Sequence, residues 1–205
     1  MKILAFDTCL TACSVAVLAD DRVLASRAEP MARGHQERLA PLVQDLMGQA
    51  GLSFDQLDRI GVTVGPGSFT GLRVGLAFAK GLSAALDRPA IGIGLLEALA
   101  EGLSGRVAAV LDAKRDQVYL QTFVEGGPET SPRVLSLTEA RTELAVFRPT
   151  SLVGTGGELM DLPDVTLIAA DHADPVAIAR LAARKPLAPP MPLYLRAPDA
   201  RLPGQ

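Results

Sequence analysis

Apolar and polar positions along the 205-residue chain change their period several times, and each change marks an element. Ile3-Leu4-Ala5-Phe6 is an unbroken apolar run that stops at Asp7, the pattern of a strand buried on both faces. Residues 14–18 read as a second strand, and Asp20-Asp21 supplies a hairpin turn into a third over 22–28. After a loop at 29–34, Leu39, Leu42, Val43, Leu46, Met47 and Ala50 recur at three- and four-residue steps. They share one face of a helix that Gly51 ends. Ser53 and Gln56 form a capping-box pair for one short turn. Residues 60–64 predict a strand closed by Gly65-Pro66-Gly67. A second helix follows over 70–86 and stops before Pro89. Then come a short strand at 90–93 and a third helix at 95–103, ended by Gly105.

The second half opens on another buried strand, 107–111, ending at Asp112. A turn through Lys114-Arg115-Asp116 leads into a strand over 118–124. Further on, the pattern predicts a helix near 138–144, a strand at 151–153 and a Gly-rich turn, Gly154-Thr155-Gly156-Gly157. A strand at 166–169 and a helix at 175–184 follow. A proline-rich extended tail over 186–205 packs through Leu193, Tyr194 and Leu195.

The two halves echo each other. Ile3-Leu4-Ala5-Phe6-Asp7-Thr8 and Ala108-Ala109-Val110-Leu111-Asp112-Ala113 are each an apolar strand, an Asp, a small residue and a turn into another strand. That similarity predicts a duplicated α/β unit, with a first domain over 1–104 and a smaller one over 105–205. Packed side by side, the units would aim Asp7 and Asp112 at one cleft, where carboxylates suit Mg²⁺ and a nucleotide's phosphates. Equally, each Asp caps its own turn.

Composition narrows the classes. Hydrophobic residues are 48% and charged residues 21%, enough apolar surface for a folded core. No apolar run approaches the ~20 residues that span a bilayer. The first residues start a strand at once and carry no signal-peptide pattern, which predicts a cytoplasmic chain. Cys9 and Cys13 read as small buried cysteines, and two cysteines with two distant histidines make a poor metal set. A net charge of −3 weighs against a chain that grips RNA unaided, since such affinity rests on neutralising phosphates.

The sharpest segment runs from Gly65 to Gly75, Gly-Pro-Gly-Ser-Phe-Thr-Gly-Leu-Arg-Val-Gly. It is a Gly-rich loop between strand and helix, without the Gly-Lys-Ser/Thr of a P-loop. Within the helix, Gly71, Gly75, Ala79 and Ser83 form a ridge of small side chains. Such a ridge admits a close neighbour, either the chain's own sheet or a helix of another subunit.

These motifs resemble one family. Ile3 to Thr8, Ala12-Cys13-Ser14-Val15-Ala16, His35-Gln36-Glu37-Arg38-Leu39, Gly65 to Gly75, Leu96 to Ala100, Asp112-Ala113 with Val118-Tyr119, and Pro192-Leu193-Tyr194-Leu195-Arg196 stand in the order found in the bacterial TsaB (YeaZ) proteins. The resemblance covers essentially the whole chain, and Gly-Pro-Gly-Ser-Phe-Thr-Gly-Leu-Arg is its most specific part. It implies an actin/hexokinase-like (ribonuclease H-like) fold of two small domains and a role in making threonylcarbamoyladenosine in tRNA. It implies a catalytic partner, TsaD, a P-loop ATPase partner, TsaE, and a homodimer when the chain is alone, with tRNA met only through the complex. The partner-binding surface falls on the first two helices, with Leu39, Leu42, Gly71, Leu72, Gly75, Leu76 and Ala79 as interface residues. Asp7, Thr8, Asp112, Gly154, Gly156 and Gly157 stand where the wider superfamily holds a nucleotide, so ATP or ADP is the ligand such a cleft would take; no tightly bound cofactor is implied. Lys114, Gln117, Gly94 and Leu95 depart from the family pattern, and the first two weaken a nucleotide role for the second turn.

A scaffold is favoured over an enzyme. The catalytic relative uses two histidines four residues apart on one helix face; here His35 is followed at that step by Leu39. His35 then reads as a helix-start polar residue with surface hydrogen bonds. A glycoprotease-like hydrolase would need a base beside Ser68, and none is evident. A sugar or acetate kinase would need more chain. The alternative that stays open is a nucleotide-binding regulator of the same complex. On the interface reading, Gly75→Leu weakens association, read by sedimentation, and leaves the thermal melt intact because the new side chain points outward.

Overall fold

The computed structural model describes residues 1–196; the end of the predicted tail, 197–205, lies outside the described residues. The first half runs β1 (Lys2–Asp7), β2 (Ala12–Ala19), β3 (Arg22–Pro30), α1 (His35–Ala50), β4 (Arg59–Thr63), α2 (Phe69–Leu86), β5 (Ala90–Ile93) and α3 (Leu95–Ala100). The second half runs β6 (Arg106–Lys114), β7 (Gln117–Val124), β8 (Gly127–Pro128), β9 (Arg133–Ser136), α4 (Leu137–Phe147), β10 (Ser151–Val153), β11 (Thr166–Ile168) and α5 (Pro175–Arg184).

Each half forms one sheet, and the two sheets repeat one plan. The first has the order β3-β2-β1-β4-β5; β1 pairs antiparallel with β2 and parallel with β4. The second has the order β11-β10-β6-β7-β8, with β9 also on β7; β6 pairs antiparallel with β7 and parallel with β10. So β6 occupies the place of β1, and Asp112 the place of Asp7.

Both central strands are covered on both faces, which is why they read as continuous apolar runs. Phe6 meets Phe78 of α2, with ring centroids 5.4 Å apart. The opposite face, at Ala5 and Gly61, meets Ala182 of α5; a Cβ on Gly61 would come within 2.9 Å of the Ala182 Cβ. On β6, Val107, Ala109 and Leu111 join the core shared with the first sheet, while Ala108 and Val110 lie beneath α4 with Leu144 and Phe147.

Most predicted elements are present, and the departures have local causes. The α3 helix ends at Ala100, short of the predicted 103, because Gly102 turns to a positive φ of 81° and Glu101 is held by Arg184. Strand β6 runs past Asp112 to Lys114, pairing Lys114 with Gln117 across an irregularity. Strands β8 and β9 have no counterpart in the pattern; they are short, and the residues of β9 are all half-buried, so no alternation marks them. The division at 104/105 does not separate the packing. Helix α5, with Ile178, Ala179 and Ala182 buried, lies against β1, β2 and β4 of the first sheet.

The small-residue ridge of α2 faces inward. A Cβ on Gly71 would lie 1.9 Å from the Thr8 carbonyl oxygen, and one on Gly75 would lie 2.7 Å from Thr8 Oγ1. Only glycine lets the helix approach this closely, and its cost of about 0.5–1 kcal/mol in a helix interior is the price of that contact. The expectation that Gly75→Leu points outward is therefore corrected. Gly75→Leu overpacks the sheet and should cost about 1–3 kcal/mol, a drop of several degrees in Tm for a domain of this size. Gly48→Ala on the exposed face of α1, where a Cβ meets nothing within 4 Å, should instead add about 0.5–1 kcal/mol. Thermal melts of the two variants check both signs.

Candidate functional site

The end of β1 is built from inward-facing hydrogen bonds. Asp7 is fully buried; its Oδ1 accepts from Cys9 N at 3.0 Å and from the Thr63 hydroxyl, while its Oδ2 has no partner. Burial pushes the Asp7 carboxyl above its usual range, against those two hydrogen bonds, which act to lower it. Thr8 Oγ1 donates to Gly71 O at 2.7 Å, and Ser68 N donates to Cys9 O at 2.8 Å. Thr11 Oγ1 donates to Asp171 O at 2.9 Å. The β1–β2 turn is thus closed by the first turn of α2 and by the loop before α5. Burial also pushes the Cys9 thiol well up and the Cys13 thiol up to about 12, so both are inert, buried thiols.

The second turn is likewise engaged with its own chain. Gly154 N donates to Ile168 O, Gly156 N to Val110 O and Gly157 N to Gly154 O. The Asp112 carboxylate accepts from the backbone N and from Nζ of Lys114. Partial burial raises the Asp112 carboxyl, but these bonds from Lys114 outweigh it and hold the group below its usual value. Asp112 and the Gly-rich turn are neighbours, since Thr155 Oγ1 accepts from Asp112 N at 3.2 Å. Among the described residues no hydrogen bond or ion pair joins this set to Asp7 and Thr8. A phosphate cradle needs free N–H groups; those of Cys9, Gly154, Gly156 and Gly157 are engaged within the chain.

His35 is not at the surface. It is 9% exposed, its Nε2 has no partner, and it lies within electrostatic reach of Asp7. The surface reading is corrected: Leu39 and the rest of the buried stripe turn this first residue of α1 inward. Among the described residues no group of three or more His, Cys, Asp or Glu could hold a metal ion.

The residues expected at the interface lie mostly inside the fold. Leu42, Gly71, Leu72, Gly75, Leu76 and Ala79 are buried within the chain, and Leu39 reaches only the floor of an outer groove. That groove, about 780 Å³, runs between α1 and α2 and is walled by Ala40, Phe69, Val74, Ala77, Phe78 and Leu82. Arg73 covers the Phe69 ring at 3.9 Å, and the ring of Tyr194 lies 5.5 Å from Phe69 on the outer surface. The residues expected at an interface point into the chain, and the groove lies on the outer side of the same two helices. The missed signal is that α2 carries Val74, Ala77, Phe78 and Leu82 beyond its buried stripe, so it is apolar nearly all round.

Two sheets of one plan, β1 ending at Asp7 and β6 carrying Asp112 near its end, with helices on both faces, define a duplicated α/β protein of the actin/hexokinase-like class. A family model described as TsaD: tRNA N6-adenosine threonylcarbamoyltransferase matches residues 23–143. The tRNA threonylcarbamoyladenosine biosynthesis protein TsaB of Escherichia coli is 40% identical over 124 residues, 58% of this chain and 53% of that protein. The chain thus spans about half the length of that curated relative. An uncharacterized protein of Mycobacterium bovis is 35% identical over 97% of this chain and 93% of its own length. A Pseudomonas aeruginosa crystal structure, described as similar to peptidase YEAZ, superposes with a TM-score of 0.84 at 32% identity, over 95% of this chain and 99% of that one. The chain belongs to the TsaB/YeaZ family.

The Asp7 geometry carries a pH prediction. Its folded carboxyl sits above the 3.8 of the unfolded chain. Stability from the protonated form is therefore present below that value and lost as pH rises through the folded value. Asp7→Asn keeps the acceptor for Cys9 and Thr63 and removes the buried charge. Urea unfolding should show Asp7→Asn gaining on the parent chain as pH rises above 3.8 and levelling off once the folded carboxyl ionises; a parent chain that gains instead sinks the assignment.

Proposed function

We propose that this chain is the non-catalytic scaffold subunit of the machinery that forms threonylcarbamoyladenosine in tRNA, and that it docks through the α1/α2 groove onto the catalytic TsaD subunit. The observation that carries the reading is the outward apolar groove, a surface with no occupant inside the chain. Apolar patches of this kind, rimmed by polar groups such as Gln36 and Arg73, mark protein contacts. The match of a TsaD-type family model over 23–143 supports a partner built on the same plan. A face that serves a chain's own two-fold pairing can also serve a related subunit, which accounts for a homodimer when the chain is alone. TsaE joins that complex. The net charge of −3 leaves tRNA to be gripped by the assembly rather than by this chain.

Both candidate turns support a non-catalytic role, because their donors are engaged within the fold. Ser68 caps α2 by accepting from Gly71 N at 3.3 Å, a structural task that leaves a hydrolase reading without an activated nucleophile.

Ala77→Arg sets a charge in the groove at an exposed helix position. It should change folding by no more than about 0.5 kcal/mol and weaken binding of purified TsaD at least about tenfold, or ~1.4 kcal/mol. Sedimentation reads the binding and thermal melting the fold. A tRNA modification assay with and without this chain tests the role itself; equal modification in its absence refutes the scaffold reading.

A further inference from the structure

The segment after α5 is extended and crosses from one half of the molecule to the other. Pro190 lies so close to β5 that a Cβ on Gly92 would come within 3.2 Å of its Cα. Leu193 N donates to Val64 O at 2.7 Å, just beyond β4. Tyr194 then stacks beside Phe69 at the start of α2. Two residues later Arg196 reaches the β6–β7 hairpin: Nη1 donates to Ala113 O at 2.8 Å, and Nη2 donates to the Gln117 side-chain oxygen and, at 3.5 Å, to Lys114 O. One guanidinium thus holds both strands of the hairpin.

What it holds is strained. Lys114, Arg115 and Asp116 have φ of 61°, 56° and 56°, three consecutive non-glycine residues in the left-handed region. Each places its Cβ against a carbonyl, and such runs persist only where the surroundings impose them. Restraints here include Lys114 on Asp112, Leu137 N on Asp116 O, and the Arg196 clasp.

We propose that residues 190–196 are a latch: Arg196 holds the strained hairpin that carries Asp112, and the Tyr194–Phe69 contact ties that hold to the α1/α2 groove. Phe69 and Arg73 both line the groove, so an occupant there bears on the latch through one ring-to-ring contact. Coupling of this kind needs a discrete element with two arrangements; in this proposal the strained hairpin tip is that element, and Arg196 holds it in the arrangement seen here. Only the identity of the occupant rests on the scaffold reading; the latch itself is a property of the isolated chain.

Amide hydrogen exchange of the full chain, followed on peptides covering 111–118, tests the latch. Arg196→Ala should speed exchange there at least tenfold while peptides from β1 and α1 keep their rates. Arg196→Lys, which keeps the charge and loses the fork, should fall between. Phe69→Ala and Tyr194→Ala should each speed exchange at the hairpin at least threefold, and Met191→Ala, at an exposed strap position, should not. Thermal melts establish that each variant is folded at the exchange temperature. An unchanged hairpin in Arg196→Ala overturns the clasp; a loosened hairpin in Arg196→Ala with no response to Phe69→Ala or Tyr194→Ala overturns the tie to the groove. Added TsaD subunit should slow hairpin exchange in the parent chain and not in Tyr194→Ala. If TsaD fails to bind the parent chain, the scaffold reading falls, and the variants of the isolated chain still decide the latch.

Discussion

The close approach of α2 to the β1–β2 turn organises the rest of the molecule. Thr8 sits where two successive helical turns of α2 would carry side chains, and Gly71 and Gly75 leave that space open. The Thr8 hydroxyl donates to the Gly71 carbonyl, and the Cys9 carbonyl accepts from the first residue before the helix. These bonds give buried polar groups their partners, without which each would cost free energy. Leu72, Leu76 and Ala79 then reach the sheet and complete the core beneath α1 and α2.

That approach has two chemical consequences. It closes the turn in which a related phosphate-binding fold would keep its donors free, and it leaves Asp7 buried with one oxygen unpaired. On the same helix Ala77 faces outward, while Val74, Phe78 and Leu82 are half-buried at its flank, with Phe78 meeting Phe6.

The two halves share a sheet plan but not a set of helices. In the second half α4 covers one face together with Met160, Leu162 and Val165, and α5 crosses back to the first sheet through the gap opened by Gly61. The strap that follows must therefore begin in the first half and end, through Arg196, in the second. Duplication produced two Asp-ended turns; the path of the C-terminal segment makes them unequal, one buried and one strained at the tip.

The sequence by itself determined the elements and the family. Apolar runs announced β1 and β6, three- and four-residue steps announced α1, and Ser53 with Gln56 announced a capped turn that the structure contains. These signals are local, carried by periodicity and capping chemistry, so they survive without tertiary knowledge. The Gly65 to Gly75 string and its companions carried the family. What the sequence left open was orientation. A ridge of glycines states that something approaches closely, and nothing in its spacing says whether that is Thr8 of the same chain or a second subunit. From the sequence His35 reads as a surface residue, because the neighbours that bury it come from distant elements. From the sequence Tyr194 reads only as a packing residue of the tail and Arg196 only as part of a family motif; their partners Phe69 and Gln117 lie about 125 and 79 residues away and meet them only when both sheets have formed. Which face packs inward is decided by complementarity among elements remote in the chain, and that is a property of the folded structure alone.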